Sequence, residues 1–178
     1  MALEEHKAKA PKSVGCMIVT VSDSRNRESD QSGDLLCSLL ETGPHRVVDR
    51  SIARNNPLDI ESAIVRGMQN ADAQAIILIG GTGISARDNT TDVVEEYLDK
   101  SLDGFGEFFR YLSYEEIGPA AMLSRAVAGL AGGKILLCIP GSPKAVELAM
   151  KKLILPELGH MVREATKGIK DADTSPGA

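Results

Sequence analysis

The segment AIILIGGTGISARDNTTD, residues 75–92, decides how this sequence folds. It begins with Ala75–Ile79, a short apolar run rich in isoleucine, which predicts a strand buried on both faces. A glycine-rich loop follows at once, and a helix is predicted to begin near Thr90. A buried strand that runs through glycines into a helix is typical of the units of a parallel α/β sheet.

Similar patterns lie on both sides of this unit. Residues 14–21 (VGCMIVTV) and 134–139 (KILLCI) predict buried strands, and residues 46–52 predict a weaker one. Apolar spacing predicts helices over residues 32–40 and 119–130, a helix from Asn56-Pro57, and a last one from Pro143 that bends or restarts at Pro156. We therefore predict a three-layer α/β/α sandwich with a mainly parallel sheet.

The length of 178 residues suits a single domain, predicted over residues 13–166. The polar segments 1–12 and 167–178 are predicted to be flexible tails. No apolar run approaches the roughly 18 residues of a membrane span, and the N-terminus lacks the apolar core of a secretory signal, so we expect a cytoplasmic protein that makes no membrane contact. The net charge of −5, without a basic stripe, argues against nucleic-acid binding.

The cysteines and histidines give no sign of a metal or redox site. No two of the three cysteines form a CxxC pair, and the three histidines lack the spacing of metal ligands. We predict buried, reduced thiols and ordinary surface or core histidines.

Three loops follow the apolar strands, at residues 22–31, 80–92 and 140–144. Ligands of parallel α/β sheets bind beyond the carboxyl ends of the strands. We therefore expect the three loops to meet at one edge of the sheet and to form a single pocket that holds an anion.

The glycine loop is the first candidate for ligand binding. It consists of Gly80, Gly81, Thr82 and Gly83. Glycine permits positive φ and close approach, and successive N–H groups can cradle a phosphate, although a tight turn without a ligand would use the same residues. The loop is neither a Walker A loop nor a GxGxxG fingerprint.

Two acidic residues follow the glycines and could hold Mg²⁺ beside a polyphosphate. Asp88 precedes the predicted helix and is the stronger candidate. Asp92 would lie in its first turn, where the helix dipole alone also favours a carboxylate. Arg87 could offset phosphate charge or pair with a neighbouring carboxylate.

The other two loops have both structural and functional interpretations. Ser142 and Pro143 suit a helix start, and Lys144 could in addition face an anion there. Hydroxyls and carboxylates after the first strand suit either capping or a polar heterocycle such as a pterin. The candidate ligand-binding residues in these loops are Ser22, Asp23, Ser24, Pro140, Gly141, Ser142 and Lys144.

All the aromatic residues lie between Tyr97 and Tyr114, mostly in the segment DGFGEFFRYLSYEEIG. Such a segment is too aromatic for a plain surface loop. It predicts either a local core cluster or a subunit interface, where aromatic residues and arginine concentrate. Arg110 within the segment slightly favours the interface.

Several of these blocks together resemble one known family. The blocks TVSDS…DQSG, GGTGISARD, GFGEFFRYLSYEEIG, LSRAVAG and IPGSPKA occur in the order seen in the MogA/MoaB/gephyrin-G family, and the aromatic block and SRAVAG look closest to MoaB. The resemblance spans residues 14–158.

The resemblance implies a molybdopterin-binding fold and a trimer or a dimer of trimers. It implies molybdopterin and Mg-ATP as substrates, adenylylated molybdopterin and pyrophosphate as products, and Asp88 as the catalytic residue. Ser22, Asp23, Ser24, Gly141 and Ser142 match the family's other loop motifs.

One departure leaves two further interpretations open. Active MogA-like members carry a second acidic residue after the second strand, where this chain has Arg54-Asn55-Asn56. This departure and the aromatic segment favour a non-catalytic molybdopterin carrier or oligomeric scaffold, which would bind pterin without consuming ATP. A third alternative is hydrolysis of a nucleotide diphosphate, as in CinA-like domains, which would need no pterin.

Overall fold

The computed structural model describes residues 10–167, so residues 1–9 and 168–178 of the predicted tails lie outside the described range. The strands are β1 (Gly15–Val21), β2 (Arg46–Ala53), β3 (Ala75–Ile79), β4 (Lys100–Ser101), β5 (Val127–Ala131) and β6 (Lys134–Ile139). They form one sheet in the order β2-β1-β3-β6-β5-β4. Strands β2, β1, β3 and β6 are parallel to one another, and β5 and β4 form an antiparallel edge beside β6. The predicted, mainly parallel sheet is therefore confirmed.

Six α-helices surround the sheet in this part of the chain. They are α1 (Gln31–Glu41), α2 (Pro57–Gln69), α3 (Thr90–Tyr97), α4 (Asp103–Ile117), α5 (Pro143–Ala149) and α6 (Leu155–Thr166). A π-helical turn, Met150–Ile154, joins α5 to α6 just before Pro156, the position at which the sequence predicted a bend or restart. Within residues 10–167, no helix combines the length and apolar composition that a bilayer span requires.

The core lies in two layers, one on each face of the sheet. Side chains alternate along β3, so that Ile77 packs with α1, α4, α5 and α6, whereas Ile76 packs on the other face with α2 and α3. Each of these isoleucines is fully buried, which stabilises the fold by about 1.5–3 kcal/mol per side chain. The predicted three-layer sandwich is therefore confirmed.

The prediction of a helix over residues 119–130 is wrong. A 3₁₀ helix covers only Gly118–Leu123, and the chain then enters β5 and turns back into β6. Gly132 and Gly133 form this turn with φ of 54° and 78°, and two consecutive positive φ values suit a two-residue hairpin. The Gly-Gly pair between two apolar runs signals the hairpin, and pairing with β6 outweighs the helical spacing.

Candidate functional site

The three predicted loops meet at one edge of the sheet. Strands β1, β3 and β6 are adjacent and parallel, so the loops that follow them leave at the same edge. Ser32 Oγ donates to the carbonyl of Gly141 at 2.6 Å, and the amide of Gly80 donates to the carbonyl of Ile139 at 3.0 Å. A Cβ on Gly141 would lie 3.1 Å from the Cα of Gly80. The expected convergence of the loops at one edge is confirmed, whereas a single pocket formed by all three loops stays a prediction.

The glycine loop takes a backbone course that only glycine adopts readily. Gly80 and Gly81 have φ of 104° and 65°. A Cβ on Gly80 would lie 2.5 Å from the carbonyl oxygen of Val21, and one on Gly81 would lie 2.9 Å from Asn55 Oδ1. The predicted positive φ is confirmed, and close packing among the loops accounts for it. A role of Gly80, Gly81, Thr82 and Gly83 in binding a phosphate stays a prediction.

Asp88 lies directly against the glycine loop. Its Oδ2 accepts a hydrogen bond from the amide of Ser85 at 3.0 Å, and a Cβ on Gly83 would lie 2.6 Å from the same oxygen. The carboxylate is half-buried, and within residues 10–167 its other oxygen, Oδ1, has no hydrogen bond. A cleft of about 320 Å³ opens here, lined by Ile84, Ser85, Ala86, Asp88, Asn89, Asp92 and Arg125.

Both carboxylate oxygens of Asp92 are bound by Arg125, a residue that the sequence did not single out. Its Oδ1 and Oδ2 accept hydrogen bonds from Arg125 Nη1 and Nη2 at 2.6 and 2.8 Å. These bonds from the guanidinium are the main cause that lowers the pKa of Asp92. Arg125 precedes β5 in the stretch wrongly predicted as helix, although it stands in the quoted block LSRAVAG.

Few protein groups at this site could coordinate Mg²⁺. No group of three or more His, Cys, Asp or Glu residues within residues 10–167 is arranged to hold a metal ion. Asp88 keeps a free oxygen, whereas both oxygens of Asp92 already face Arg125. Mg²⁺ is often held by one or two carboxylates together with substrate phosphates and water, so Asp88 suits the ion that enters with a nucleotide.

The loop after β1 is tied to a fourth loop, which follows β2 and was not among the three loops expected to form the pocket. Ser22 Oγ accepts from the amides of Ser24 and Arg25 at 3.3 and 3.2 Å, so this hydroxyl holds the turn itself. Asp23 Oδ1 accepts from the amide of Asn55 at 2.9 Å. Asn89 Nδ2 in turn donates to the carbonyl of Asn55 at 3.2 Å. The loop after β2, with Asn55, thus joins the candidate site.

The loop after β6 starts α5 as predicted. Ser142 Oγ accepts from the amide of Ala145 at 3.2 Å, so Ser142 is the N-cap and Pro143 is the first helical residue. Lys144 is exposed and lines a groove with Glu116 and Glu147, outside the cleft beside Asp88. Anion binding by Pro140, Gly141, Ser142 and Lys144 stays a prediction.

The cysteines and His45 have roles in packing, as the sequence predicted for its thiols and histidines. Burial raises the pKa of Cys16 and of Cys138 to about 12, so both stay protonated thiols, and Cys37 is a free, half-buried cysteine. His45 is buried, and its Nδ1 accepts from the amide of Val14 at 3.3 Å. His6 lies outside the described residues.

The fold and these loops define an α/β protein with a polar cleft beside a glycine loop at the carboxyl ends of its parallel strands. The family model described as "Probable molybdopterin binding domain" matches residues 17–160. The chain belongs to this family.

Known relatives agree with this assignment. The Molybdenum cofactor biosynthesis protein B of Halalkalibacterium halodurans is 48% identical over 94% of this chain and 99% of its own length. A crystal structure of a Molybdenum cofactor biosynthesis protein B, also 48% identical, has a TM-score of 0.86 and covers 89% of this chain and 99% of its own. The tungsten cofactor synthesizing protein MoaB from Pyrococcus furiosus is 32% identical, with a TM-score of 0.80 over 89% of this chain and 100% of its own. The relatives place this chain among the proteins of molybdenum cofactor biosynthesis.

Proposed function

We propose that this chain binds molybdopterin and transfers the adenylyl group of Mg-ATP to the terminal phosphate of the pterin, releasing pyrophosphate. The observation that carries the proposal is the convergence of the strand-end loops around the glycine loop and the half-buried carboxylate of Asp88. Membership of the molybdopterin-binding family supports the pterin as one of the two ligands.

The proposed reaction requires alignment more than acid–base chemistry. An oxygen of the pterin phosphate attacks the α-phosphorus of ATP, a new P–O bond forms, and the bond to the β-phosphate oxygen breaks with its electron pair leaving on pyrophosphate. The attacking oxygen is already anionic, so no strong general base is needed. The protein contributes by holding the two phosphates in line and by offering fixed hydrogen-bond donors.

Each loop would have a separate part in this alignment. The amides of the glycine loop and the hydroxyl of Thr82 would contact the phosphates of the nucleotide. The loops that carry Ser22, Asp23, Ser24 and Ser142 would hold the pterin. Asp88 would hold the Mg²⁺ that arrives with ATP, and that ion would supply charge neutralisation at the phosphates.

Replacement of Asp88 tests the proposal. In Asp88→Ala, formation of adenylylated pterin, followed by mass analysis, should fall by on the order of 10²-fold or more because charge stabilisation is lost. Binding of molybdopterin, followed by fluorescence or calorimetry, should survive. Asp72→Ala is the matched control, since Asp72 is exposed and lies just before the amino end of β3, at the opposite end of the strand from the glycine loop. Unchanged turnover in Asp88→Ala would contradict the assignment.

A second candidate function is a molybdopterin carrier without turnover. Asn55 favours it, because a side-chain amide rather than a carboxylate stands beside Gly81, and its Oδ1 accepts from the backbone amide of Asn89 at 3.4 Å. An amide is a poorer Mg²⁺ ligand than a carboxylate. This function predicts that the wild-type chain binds the pterin and consumes no ATP, which the same assay would reveal.

We also propose that the chain assembles as a trimer or a dimer of trimers. Both interpretations of the aromatic segment apply to α4, since Phe105 and Phe109 pack in the core while the opposite side of the helix is exposed. We name this exposed side the aromatic face; it comprises Phe108, Tyr111, Tyr114 and Ile117, with Met122 and Leu123 of the following 3₁₀ helix. Six exposed large apolar side chains on one helix and the turn that follows it favour a protein partner.

A further inference from the structure

Arg125 contacts the candidate site through four of its nitrogen atoms. Its Nε donates to the carbonyl of Gly83 at 3.0 Å, and its Nη2 donates to the carbonyl of Asp88 at 2.9 Å. Its backbone amide donates to the carbonyl of Thr82 at 3.0 Å. Nη1 and Nη2 also bind the carboxylate of Asp92. Every one of these acceptors lies within residues 82–92.

These contacts tether both ends of one short loop. Residues 83–88 leave the glycine loop at Gly83 and return at Asp88, and one guanidinium binds the carbonyl at each end. Inside the loop, the described hydrogen bonds are local ones between Ser85 and Asp88 or Arg87, and Asn89 Nδ2 donates to the carbonyl of Arg87 at 3.0 Å. The bonds of Ser85 can persist while the whole loop moves, so the position of the loop relative to the sheet depends on two anchors: Arg125, which binds both ends of the loop, and Asn89, which binds Asn55.

We propose that Arg125 is a positioning residue that holds the loop of residues 83–88, and with it the Asp88 carboxylate, in place over the strand ends. Asp92 orients Arg125 and is not itself a metal ligand in this arrangement. Where it concerns turnover, the proposal rests on the proposed adenylyl transfer. Where it concerns the loop, it rests on the geometry alone.

Two simpler roles for Arg125 make different predictions. As a surface ion pair it would contribute little, because the side chains of Arg125 and Asp92 are 34% and 56% exposed and water screens such pairs. As a point charge that attracts a phosphate, it could be replaced by lysine. As a positioning residue it could not, because an ammonium group lacks the planar fork that spans Gly83, Asp88 and Asp92.

Hydrogen exchange on the ligand-free protein tests the position of the loop directly. The variants are Arg125→Lys and Arg125→Ala, with Arg66→Ala as the matched control, since Arg66 pairs with Asp49 on the surface at 3.4 Å. The amides of Ser85, Asp88 and Thr90 should exchange about tenfold faster in both Arg125 variants, because each lost bond from a charged donor is worth about that factor. Amides of β1 and β3 should keep their protection, and Arg66→Ala should resemble the wild type.

The same measurement can overturn the proposal. Unchanged exchange of the loop in Arg125→Lys would show that charge alone suffices. An equal increase across the loop and the strands would show that Arg125 merely stabilises the whole fold. The double variant Arg125→Ala/Asp92→Ala should exchange no faster than Arg125→Ala alone, because both changes remove one tether; additive effects would show that Asp92 acts elsewhere.

Kinetics then separate positioning from substrate binding. In Arg125→Lys, kcat for adenylyl transfer should fall about tenfold or more while KM for the pterin stays within about twofold, because Asp88 is displaced without loss of a pterin contact. A rise in KM at constant kcat would make Arg125 a binding residue and overturn the proposal. If the wild-type chain shows no turnover, the proposed function fails, and the exchange experiment still decides the role of Arg125.

Discussion

At the residue scale, the glycine loop shows how a few atoms determine which side chains a site tolerates. Gly81 lies against the hydroxyl of Thr90 and the amide oxygen of Asn55, and its amino-acid type is constrained by both φ and space. Thr90 Oγ1 is fully buried and has no hydrogen-bond partner among the described residues. The space beneath the loop is therefore filled by polar atoms, with no room for a methyl group.

Gly81→Ala should lower the free energy of unfolding by about 2 kcal/mol, because alanine at positive φ is strained and its Cβ would overlap Thr90 and Asn55. Chemical denaturation monitored by circular dichroism measures the change. Gly104→Ala is the control, since a Cβ there meets nothing within 4 Å and alanine favours the helix by up to about 1 kcal/mol. Equal stability of Gly81→Ala and wild type would contradict the argument.

At the element scale, one buried carboxylate joins the start of α1 to β1 and β2. Asp30 caps α1 by accepting from the amide of Gly33 at 3.0 Å, and its Oδ2 accepts from Thr20 Oγ1 at 2.7 Å and from Arg50 Nη2 at 2.8 Å. Burial by itself would raise the pKa of Asp30, but the bonds from Arg50, Thr20 and Gly33 outweigh it and hold the pKa below its usual value. The network fixes the helix whose Ser32 contacts the loop after β6.

Asp30→Ala should lower the free energy of unfolding by about 3 kcal/mol, because it breaks a buried ion pair and a helix cap together. Asp34→Ala is the matched control; Asp34 also pairs with Arg50, at 2.5 Å, but its side chain is 60% exposed, so the loss should stay below about 1 kcal/mol. Urea denaturation measures both. Similar losses in the two variants would refute the importance of burial.

The contribution of Asp30 should also depend on pH in a definite direction. Because its folded-state pKa is lowered, the stabilisation is fully present above the unfolded pKa of about 3.9 and is lost as pH falls through the folded-state pKa. The difference in stability between wild type and Asp30→Ala should therefore shrink only in strong acid. A difference that shrinks between pH 7 and pH 5 would point to another group.

At the scale of the whole molecule, α4 belongs both to the core and to the surface. Phe109 is almost completely buried, whereas Phe108 next to it is 62% exposed and belongs to the aromatic face. The 3₁₀ helix that continues this face ends two residues before Arg125. A subunit that covers the aromatic face would thus pack close to the residue that tethers the loop of Asp88.

Phe108→Glu should shift the chain toward a monomer of 18.9 kDa, because a charge buried in an apolar interface without a partner is costly. Sedimentation velocity over a range of concentrations measures the assembly. Leu58→Glu is the control, since Leu58 of α2 is 75% exposed and lies outside the aromatic face. A wild-type chain that sediments as a monomer throughout would contradict the proposed assembly, and an unchanged assembly of Phe108→Glu would exclude this face as the interface.

The sequence alone determined the features whose signals lie within a few consecutive residues. The buried strand β3 and the N-cap at Ser142 were predicted and are confirmed. The glycine loop was expected to permit positive φ, and Gly80 and Gly81 adopt it. The alternation of buried strands and helices was also enough to predict the parallel sheet, and hence the edge at which the loops meet.

Only the tertiary structure decided which distant side chains hold that edge together. Arg125 binds Gly83 across 42 residues of chain, and Asn55 binds Asp23 across 32. Neither contact leaves a local pattern, because each depends on where strand pairing brings two loops. The hairpin of β5 and β6 shows the same limit, since pairing with a neighbouring strand outweighed the helical spacing of residues 119–130.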